Sequence, residues 1–190
     1  MEIKELWEEL IFELGSMESN SKNKNILIGS GNKKADILFI GDDSDLYIDE
    51  ELRVKADSSG EFLFKLCDIV EMLPEDYYIT TLTKTSLKYK EYFENDQKIL
   101  KELLEMQIAL INPKIVVALG AITASLLLGR EVEFLKEKGK ILKWIGNTKV
   151  LITYDPNFAK KSRESSGKNS PIAVEFWNDL KVIKTYIEQN

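Results

Sequence analysis

The sequence predicts a mixed α/β fold, a three-layer α/β/α sandwich around a four-stranded parallel sheet. Apolar runs with β-branched and aromatic residues alternate four times with helical stripes, at intervals of roughly 35 residues, as successive βαβ units do. The chain has 190 residues, of which 44% are hydrophobic, and this suits one domain with a substantial core. We therefore expect a single domain over residues 1–190, with a first helix at 3–14 and the core at 25–187.

The predicted strands are short runs bounded by turn residues. They cover residues 36–40, 77–82, 115–119 and 149–154. The first run, at 37–40, is unbroken and apolar, which is typical of a strand buried on both faces. Gly41 ends it and opens into a group of carboxylates. Because open parallel sheets bind ligands at the carboxyl ends of their strands, the sequence predicts a site here.

The predicted helices carry apolar side chains at three- and four-residue spacings. They cover residues 3–14, 58–73, 95–111, 121–128 and 171–188. Gly15 ends the first helix and Gly120 opens the fourth. Ser58 or Ser59 caps the second. Polar loops are expected at 16–24 and at 160–170, and the second, which is basic and rich in serine, is expected to be mobile.

The composition excludes several classes of protein. With no histidine in the chain, every mechanism with an imidazole base and every zinc or iron site built on imidazole is excluded. Cys67 is the one cysteine, so no internal disulfide forms and a core position is its simplest role. The N-terminus lacks the order of a signal peptide, and no apolar run approaches the ~20 residues of a membrane span. We expect a cytoplasmic monomer that does not enter a membrane.

One loop carries the excess of negative charge. The formal net charge is -6, and the loop that follows Gly41 contains Asp42, Asp43, Asp45, Asp49, Glu50 and Glu51 without a lysine or arginine before Leu52. The rest of the chain is balanced, so the acidity argues against phosphate binding only at this loop. Neither a Rossmann glycine pattern nor a phosphate-binding GxxxxGK loop follows the strand, and nucleotide cofactors therefore have no support.

The order of the segments resembles the uracil-DNA glycosylase superfamily, and most closely its iron-sulfur-bearing family. The matching segments, over residues 25–187, are ADILFIG, a loop that reaches Gly60, YYITTLTK, INPKIVVALGAITASLLLG, a KGK turn, KVLITYDPNF and FWNDLKVI. The resemblance implies the fold of that superfamily and, as function, base recognition or excision from DNA by hydrolysis of the N-glycosidic bond. These segments are mostly scaffold, which identifies a fold better than a reaction.

Several positions depart from the pattern of that family. Lys55 stands about where a phenylalanine would stack on the base, and Thr81 stands where an asparagine would read the edge of the base. In the last motif, Asp155 replaces a histidine that would meet the leaving base. The resemblance thus implies a base pocket of altered chemistry, at Gly41, Asp42, Ser44, Lys55, Thr81 and Asn157.

The resemblance also implies an iron-sulfur cluster held by four cysteines. Two of them would lie in the N-terminal segment, and the other two positions hold Thr85 and, roughly, Ile99. One cysteine in the whole chain cannot hold such a cluster. We therefore expect no cofactor and no metal.

Asp43 is the candidate for positioning water, because some other branches of the superfamily carry an aspartate at this third place of the first motif. Burial among carboxylates would raise the pKa of one of them, so we expect Asp43 and Asp155 to share a proton. Two alternatives stay open. The carboxylates of the first motif form a solvated turn or cap a helix, or the segment Asp42–Asp45 binds Mg²⁺ or Ca²⁺.

The resemblance places five basic residues near a DNA backbone. They are Lys138, Lys140, Lys160, Lys161 and Arg163. DNA binding is expected to be weak and salt-dependent, since only phosphate contacts are evident, and the alternative is that these side chains simply solvate loops. The leading hypothesis is a divergent glycosylase. The alternatives are a catalytically inactive relative that binds nucleic acid or a protein partner, and a small-molecule hydrolase or binding protein.

Overall fold

Four parallel strands form the centre of the sheet in a computed structural model, which describes residues 2–22 and 25–190. They are β2 (Ile37–Gly41), β3 (Tyr77–Thr81), β4 (Ile115–Leu119) and β6 (Lys149–Thr153). Every residue of these strands except Lys149 is buried. Burial on both faces explains why their sequences are nearly continuous apolar runs, and the predicted parallel sheet is confirmed.

The sheet has six strands rather than four, in the order β1-β3-β2-β4-β6-β5. The additional strands are β1 (Ser30–Gly31) and β5 (Ile141–Lys143), which pair antiparallel with β3 and β6 at the two edges. They contain two and three residues, and such short edge strands carry no periodic signal that a sequence would reveal.

Helices cover both faces of the sheet, as predicted for a three-layer sandwich. They are α1 (Ile3–Ser16), α2 (Ser59–Ile69), α3 (Glu94–Ile111), α4 (Ala121–Leu128), α5 (Phe134–Glu137), α6 (Pro156–Ser166) and α7 (Pro171–Gln189). One face of β2, with Leu38 and Ile40, packs in a cluster with α1 and α3. The other face, with Ile37 and Phe39, packs in a cluster with α2, α6 and α7, to which Cys67 also belongs.

The prediction of a mobile loop at 160–170 is wrong, because this segment is mostly helix α6. Asp155 accepts a hydrogen bond from the Phe158 amide and caps the helix, and Pro156 occupies its first turn. Only Pro156 and Ala159 of the helix are buried, so the sequence lacks the apolar stripe that would have revealed it.

Smaller differences concern helix ends and loops. Helix α1 continues through Gly15 to Ser16, and α2 ends at Ile69 instead of near 73. The predicted loop at 16–24 contains a short 3₁₀ turn at Glu18–Asn20, and its residues 23 and 24 lie outside the described residues. Among residues 2–22 and 25–190, no helix has both the length and the apolar character to cross a membrane.

Gly60 allows α2 to approach the acidic loop. A methyl group at this position would lie 2.2 Å from the carbonyl oxygen of Leu46, which ends the 3₁₀ turn Ser44–Leu46 in that loop. The backbone of the loop can therefore lie directly against the first turn of α2 only because residue 60 has no side chain.

We predict that Gly60→Ala destabilises the protein by about 1–3 kcal/mol, since a side chain forced into a packed contact displaces backbone. The matched control is Gly15→Ala in α1, where the added methyl would meet only Ile26 Cδ1 at 3.8 Å. We expect this control to raise the free energy of unfolding by about 0.5–1 kcal/mol, because alanine loses less backbone entropy on folding than glycine does. Urea denaturation measures both, and equal effects of the two substitutions would contradict the steric argument.

Candidate active site

The strand order creates a switch point at the centre of the sheet. From β2 the chain passes to β3 on one side and then to β4 on the other. Loops that leave the carboxyl ends of β2 and β4 therefore diverge, and a crevice opens between them. This is the edge of the sheet at which the sequence predicts a site.

A cleft of about 580 Å³ lies at this edge, and we call it the main cleft. It brings together segments that follow β2, β3, β4 and β6. Its polar residues are Asp42, Asp43, Ser44, Asp45, Lys88, Lys90, Thr123, Asp155 and Asn157. The remaining wall is the start of α4, at Gly120–Ile122, so the cleft combines carboxylates, two lysines and a helix N-terminus.

Asp42 is held by the loop that follows β3. Its Oδ1 accepts a hydrogen bond of 3.0 Å from the backbone amide of Tyr89, and the side chain is half-buried. Burial raises the pKa of Asp42 above its ordinary value, and the Tyr89 amide opposes this rise in part.

Asp43 caps the 3₁₀ turn of the acidic loop. Its Oδ1 accepts a hydrogen bond of 2.9 Å from the Asp45 amide. One oxygen of Asp43 therefore acts as a cap, which is one of the two alternatives that the sequence left open. The same carboxylate also faces the main cleft, and its charge acts on Asp155. Capping and a role in the cleft are therefore compatible.

Asp155 enters the main cleft from the end of β6. Its Oδ2 accepts the Phe158 amide at 3.3 Å as the cap of α6. Burial, followed by the negative charge of Asp43, raises the pKa of Asp155 above its ordinary value. The structure thus brings Asp43 and Asp155 together, with the raised pKa on Asp155, while their catalytic roles stay a prediction.

A second cleft, of about 260 Å³, lies at the ends of β2 and β3. Its polar residues include Ser44, Tyr47, Thr81, Lys84, Thr85 and Ser86, and Ser44 also lines the main cleft. The hydroxyl of Thr81 accepts a 2.8 Å hydrogen bond from the backbone amide of Lys84. Gly41 ends β2 beside Leu46, whose Cδ1 would lie 2.8 Å from a side chain at that position.

The residues predicted for the base pocket are therefore divided between two clefts. Asp42 and Asn157 line the main cleft, Thr81 lines the second, and Ser44 lines both. Lys55 lines neither: its side chain is exposed, and its carbonyl accepts the Ser58 amide in the turn before α2. Lys55 thus belongs to the turn before α2 and is absent from the lining of both clefts.

The five basic residues differ strongly in their surroundings. Lys138 lies 3.0 Å from Glu175 and 3.7 Å from Asp179, with a side chain only 13% exposed, so its charge is balanced within the protein. Lys160 pairs with Glu164 along α6. The exposed members of the set are Lys140, Lys161 and Arg163.

Sequence reasoning missed three lysines of the β3–α3 loop. Lys88 and Lys90 face the carboxylates of the main cleft, and Lys84 is buried beside the second. The alternation of lysine with tyrosine, serine and leucine in this loop was visible, but a loop has no period that tells which side chains turn inward.

The residues do not fit an iron-sulfur cluster. The sole cysteine, Cys67, is fully buried between α2 and the sheet, where burial raises the pKa of its thiol well above the ordinary value. At one implied ligand position, the Thr85 hydroxyl lies 2.7 Å from the hydroxyl of Tyr92. Tyr92 donates in turn to Asn20 at 2.5 Å. Hydrogen bonds thus join the N-terminal segment to the β3–α3 loop.

A hard cation in the acidic loop also lacks support. Among residues 2–22 and 25–190, no group of three or more carboxylate, thiol or imidazole side chains is arranged so that it could hold a metal ion. The hydrogen bonds of Asp42 and Asp43 to backbone amides explain the clustering of these carboxylates without one.

The raised pKa of Asp155 predicts a pH-dependent stability. A carboxyl whose pKa is raised by folding stabilises the protein fully below its unfolded pKa, near 3.8, and this stabilisation is lost as the pH rises through the folded value. Asp155→Asn, which retains a good helix cap, should therefore be more stable than the wild type at pH 7, with a difference that shrinks toward pH 4. Urea denaturation across this range measures it, and a pH-independent difference would contradict the assignment.

Comparisons with known proteins agree with this architecture. A model of the uracil DNA glycosylase superfamily matches residues 28–181. The type-4 uracil-DNA glycosylase of Thermotoga maritima is 26% identical over 190 residues, covering 99% of this chain and 96% of that protein. The type-4 uracil-DNA glycosylase of Saccharolobus solfataricus is 32% identical over 170 residues, covering 85% of this chain and 76% of that protein. The chain therefore belongs to the uracil-DNA glycosylase superfamily.

Proposed function

We propose that the protein removes an altered base from DNA by hydrolysing its N-glycosidic bond, as a step of DNA repair. The observation that carries the proposal is the meeting of Asp43 and Asp155 in the main cleft, at the switch point of a superfamily fold whose relatives are named uracil-DNA glycosylases. Base excision requires a flipped nucleotide, a group that positions water and stabilisation of the leaving base.

The two carboxylates have environments that suit different tasks. Asp43 keeps one oxygen for the cleft, since Oδ1 is bound by the Asp45 amide, and an ionised carboxylate there accepts a hydrogen bond from the attacking water. Asp155 carries the raised pKa, so it holds a proton more readily and can donate toward the departing base. Asp42 is tied to the Tyr89 amide and shapes the wall beside them.

We predict that Asp43→Asn lowers the rate of base excision by about 100-fold or more, as expected when a general base is lost. The measurement is a single-turnover assay on single- and double-stranded oligonucleotides that contain uracil, hypoxanthine or another altered base. Fold and DNA affinity should be retained or slightly improved, because a negative charge near phosphate is removed.

The matched control is Asp45→Asn, which removes the same charge from an exposed position within the same 3₁₀ turn. We expect it, like Asp42→Asn, to change the rate much less than Asp43→Asn. Equal rates for the wild type and Asp43→Asn would refute the role of Asp43.

A catalytically inactive relative that binds nucleic acid or a protein partner is the second candidate. Two observations favour it: the Thr81 hydroxyl is already engaged by the Lys84 amide, and Lys55 lies outside both clefts. Thr81, at the position that would read the base, and Lys55, at the position that would stack on it, are therefore not free to contact a base. Retained DNA binding by a wild-type protein that excises no altered base would support this candidate.

The exposed basic residues should carry the salt dependence of any duplex DNA binding. Each phosphate contact contributes about 0.9 to the slope of log K against log salt concentration. We expect Lys161→Gln to lower the slope by about that amount, whereas Lys138→Gln should leave it unchanged, because Glu175 and Asp179 already balance Lys138. Equal effects of the two substitutions in a salt titration would mean that Lys138 also contacts phosphate.

A further inference from the structure

Lys84 is a buried lysine that the proposed mechanism does not use. Only 2% of the residue is exposed, and its Nζ donates a 2.7 Å hydrogen bond to the backbone carbonyl of Thr81. An ammonium group has three protons to donate, and in the part of the chain that the structure describes no carboxylate lies within ion-pair distance of this one. A buried charge with so little compensation would be stabilised by an anion.

The surroundings of Lys84 confirm this electrostatic imbalance. Of the side chains that line the second cleft, only those of Tyr47 and Lys84 titrate. Burial raises the pKa of Tyr47 to about 12, so its phenol is neutral and supplies no counter-charge. Burial lowers the pKa of Lys84 to about 7, with no carboxylate to oppose the effect.

The second cleft is placed to receive part of a substrate that reacts in the main cleft. The two share Ser44 as a common wall residue. Asp43 is the residue before Ser44 and lies on the side of the main cleft, while Lys84 and Thr81 lie on the side of the second. A base at the end of β3 would thus have the water-positioning carboxylate on one side and the lysine on the other.

We infer that the second cleft takes the extruded base and that Lys84 is a catalytic residue whose ammonium group stabilises the negative charge of the departing base. This inference rests on the proposed function and changes one step of it. Lys84 supplies the cation and the proton that reach the departing base, in place of Asp155, which does not line the second cleft. Stabilisation by a fixed charge is effective here, since the Lys84 side chain is buried and its Nζ is held by the Thr81 carbonyl, so that the charge needs little reorganisation.

Excision by this route breaks one bond and forms another. The bond between sugar C1′ and the base nitrogen breaks, and its electron pair moves onto the base. Water attacks C1′, its oxygen forms the new bond, and one of its protons passes to the Asp43 carboxylate. The Lys84 ammonium holds the base anion and gives it a proton, which leaves a neutral amine. Solvent then returns the proton from Asp43 to Lys84.

The test is Lys84→Met, which keeps the length of the side chain and removes its charge. Single-turnover excision is measured on matched oligonucleotides that carry uracil or 5-fluorouracil, whose anion is more stable because fluorine withdraws electrons. We expect a loss of about 100-fold or more for uracil, the effect of removing one stabilising donor, and a clearly smaller loss for 5-fluorouracil. The control is Lys181→Met on α7, over the Trp177 ring, which should leave both rates unchanged.

A second readout is the pH dependence of the same reaction. If the ammonium is required, the wild-type rate on uracil should fall as the pH rises through about 7, and this fall should be absent in Lys84→Met. Deprotonation of Asp155 could also lower the rate, but that contribution would persist in the variant. Tyr47 is the other titrating group of the second cleft and stays neutral in this range.

The outcomes separate the inference from the proposed function. Equal losses on the two bases would assign Lys84 a merely structural role, and unchanged rates would assign it none, so either result overturns the inference while leaving the glycosylase activity in place. A wild-type protein that excises neither base, nor any other altered base, overturns both. Unfolding curves at neutral pH verify that Lys84→Met is folded.

Discussion

Burial of the parallel strands on both faces is the constraint from which the rest of the structure follows. Strands β2, β3 and β4 are enclosed along their whole length, so no polar side chain can act from within the sheet without an internal partner. Chemistry is confined to the strand ends. There the divergence of the connections at β2 opens the main cleft, and four aspartates from two different loops converge in it.

The β3–α3 loop organises both clefts. It supplies the Tyr89 amide to Asp42, the lysines at the mouth of the main cleft and the buried Lys84 of the second. Side-chain hydrogen bonds from Thr85 to Tyr92, and from Tyr92 to Asn20, fasten this loop to the segment after α1. In an iron-sulfur relative the cluster would join the same parts of the chain. Here neutral side chains make the connection, and a fully satisfied buried network of this kind can order a loop without a metal.

Much of the fold was predictable from the sequence because its elements are periodic. The bounds of β4 and α4 match the prediction residue for residue, since Pro113, Gly120 and Gly129 bound the two apolar runs. Helix α6 and the two edge strands were missed, because their formation depends on a cap and on neighbouring strands instead of on apolar side chains. The arrangement of these elements around the sheet was predicted from the segments that resemble the superfamily.

The candidate site was predictable only in part. Asp42, Asp43 and Asp155 meet as expected because the carboxyl ends of parallel strands share one edge. Lys55 could not be placed from spacing alone, since its position depends on the turn before α2. The balance of Lys138 by Glu175 and Asp179 joins a turn to α7, a contact between distant segments that no local pattern reveals.

The two clefts at the strand ends carry opposite charges. Carboxylates dominate one side of Ser44, and an uncompensated lysine lies on the other. Breaking a glycosidic bond develops positive charge on the sugar and negative charge on the base. Carboxylates near the sugar and a lysine near the base would therefore both stabilise the transition state. A histidine at the last motif would place a cation among the aspartates. In this chain the cation that we infer is Lys84, in the loop that follows β3, and Asp155 at that motif caps α6 and has a raised pKa.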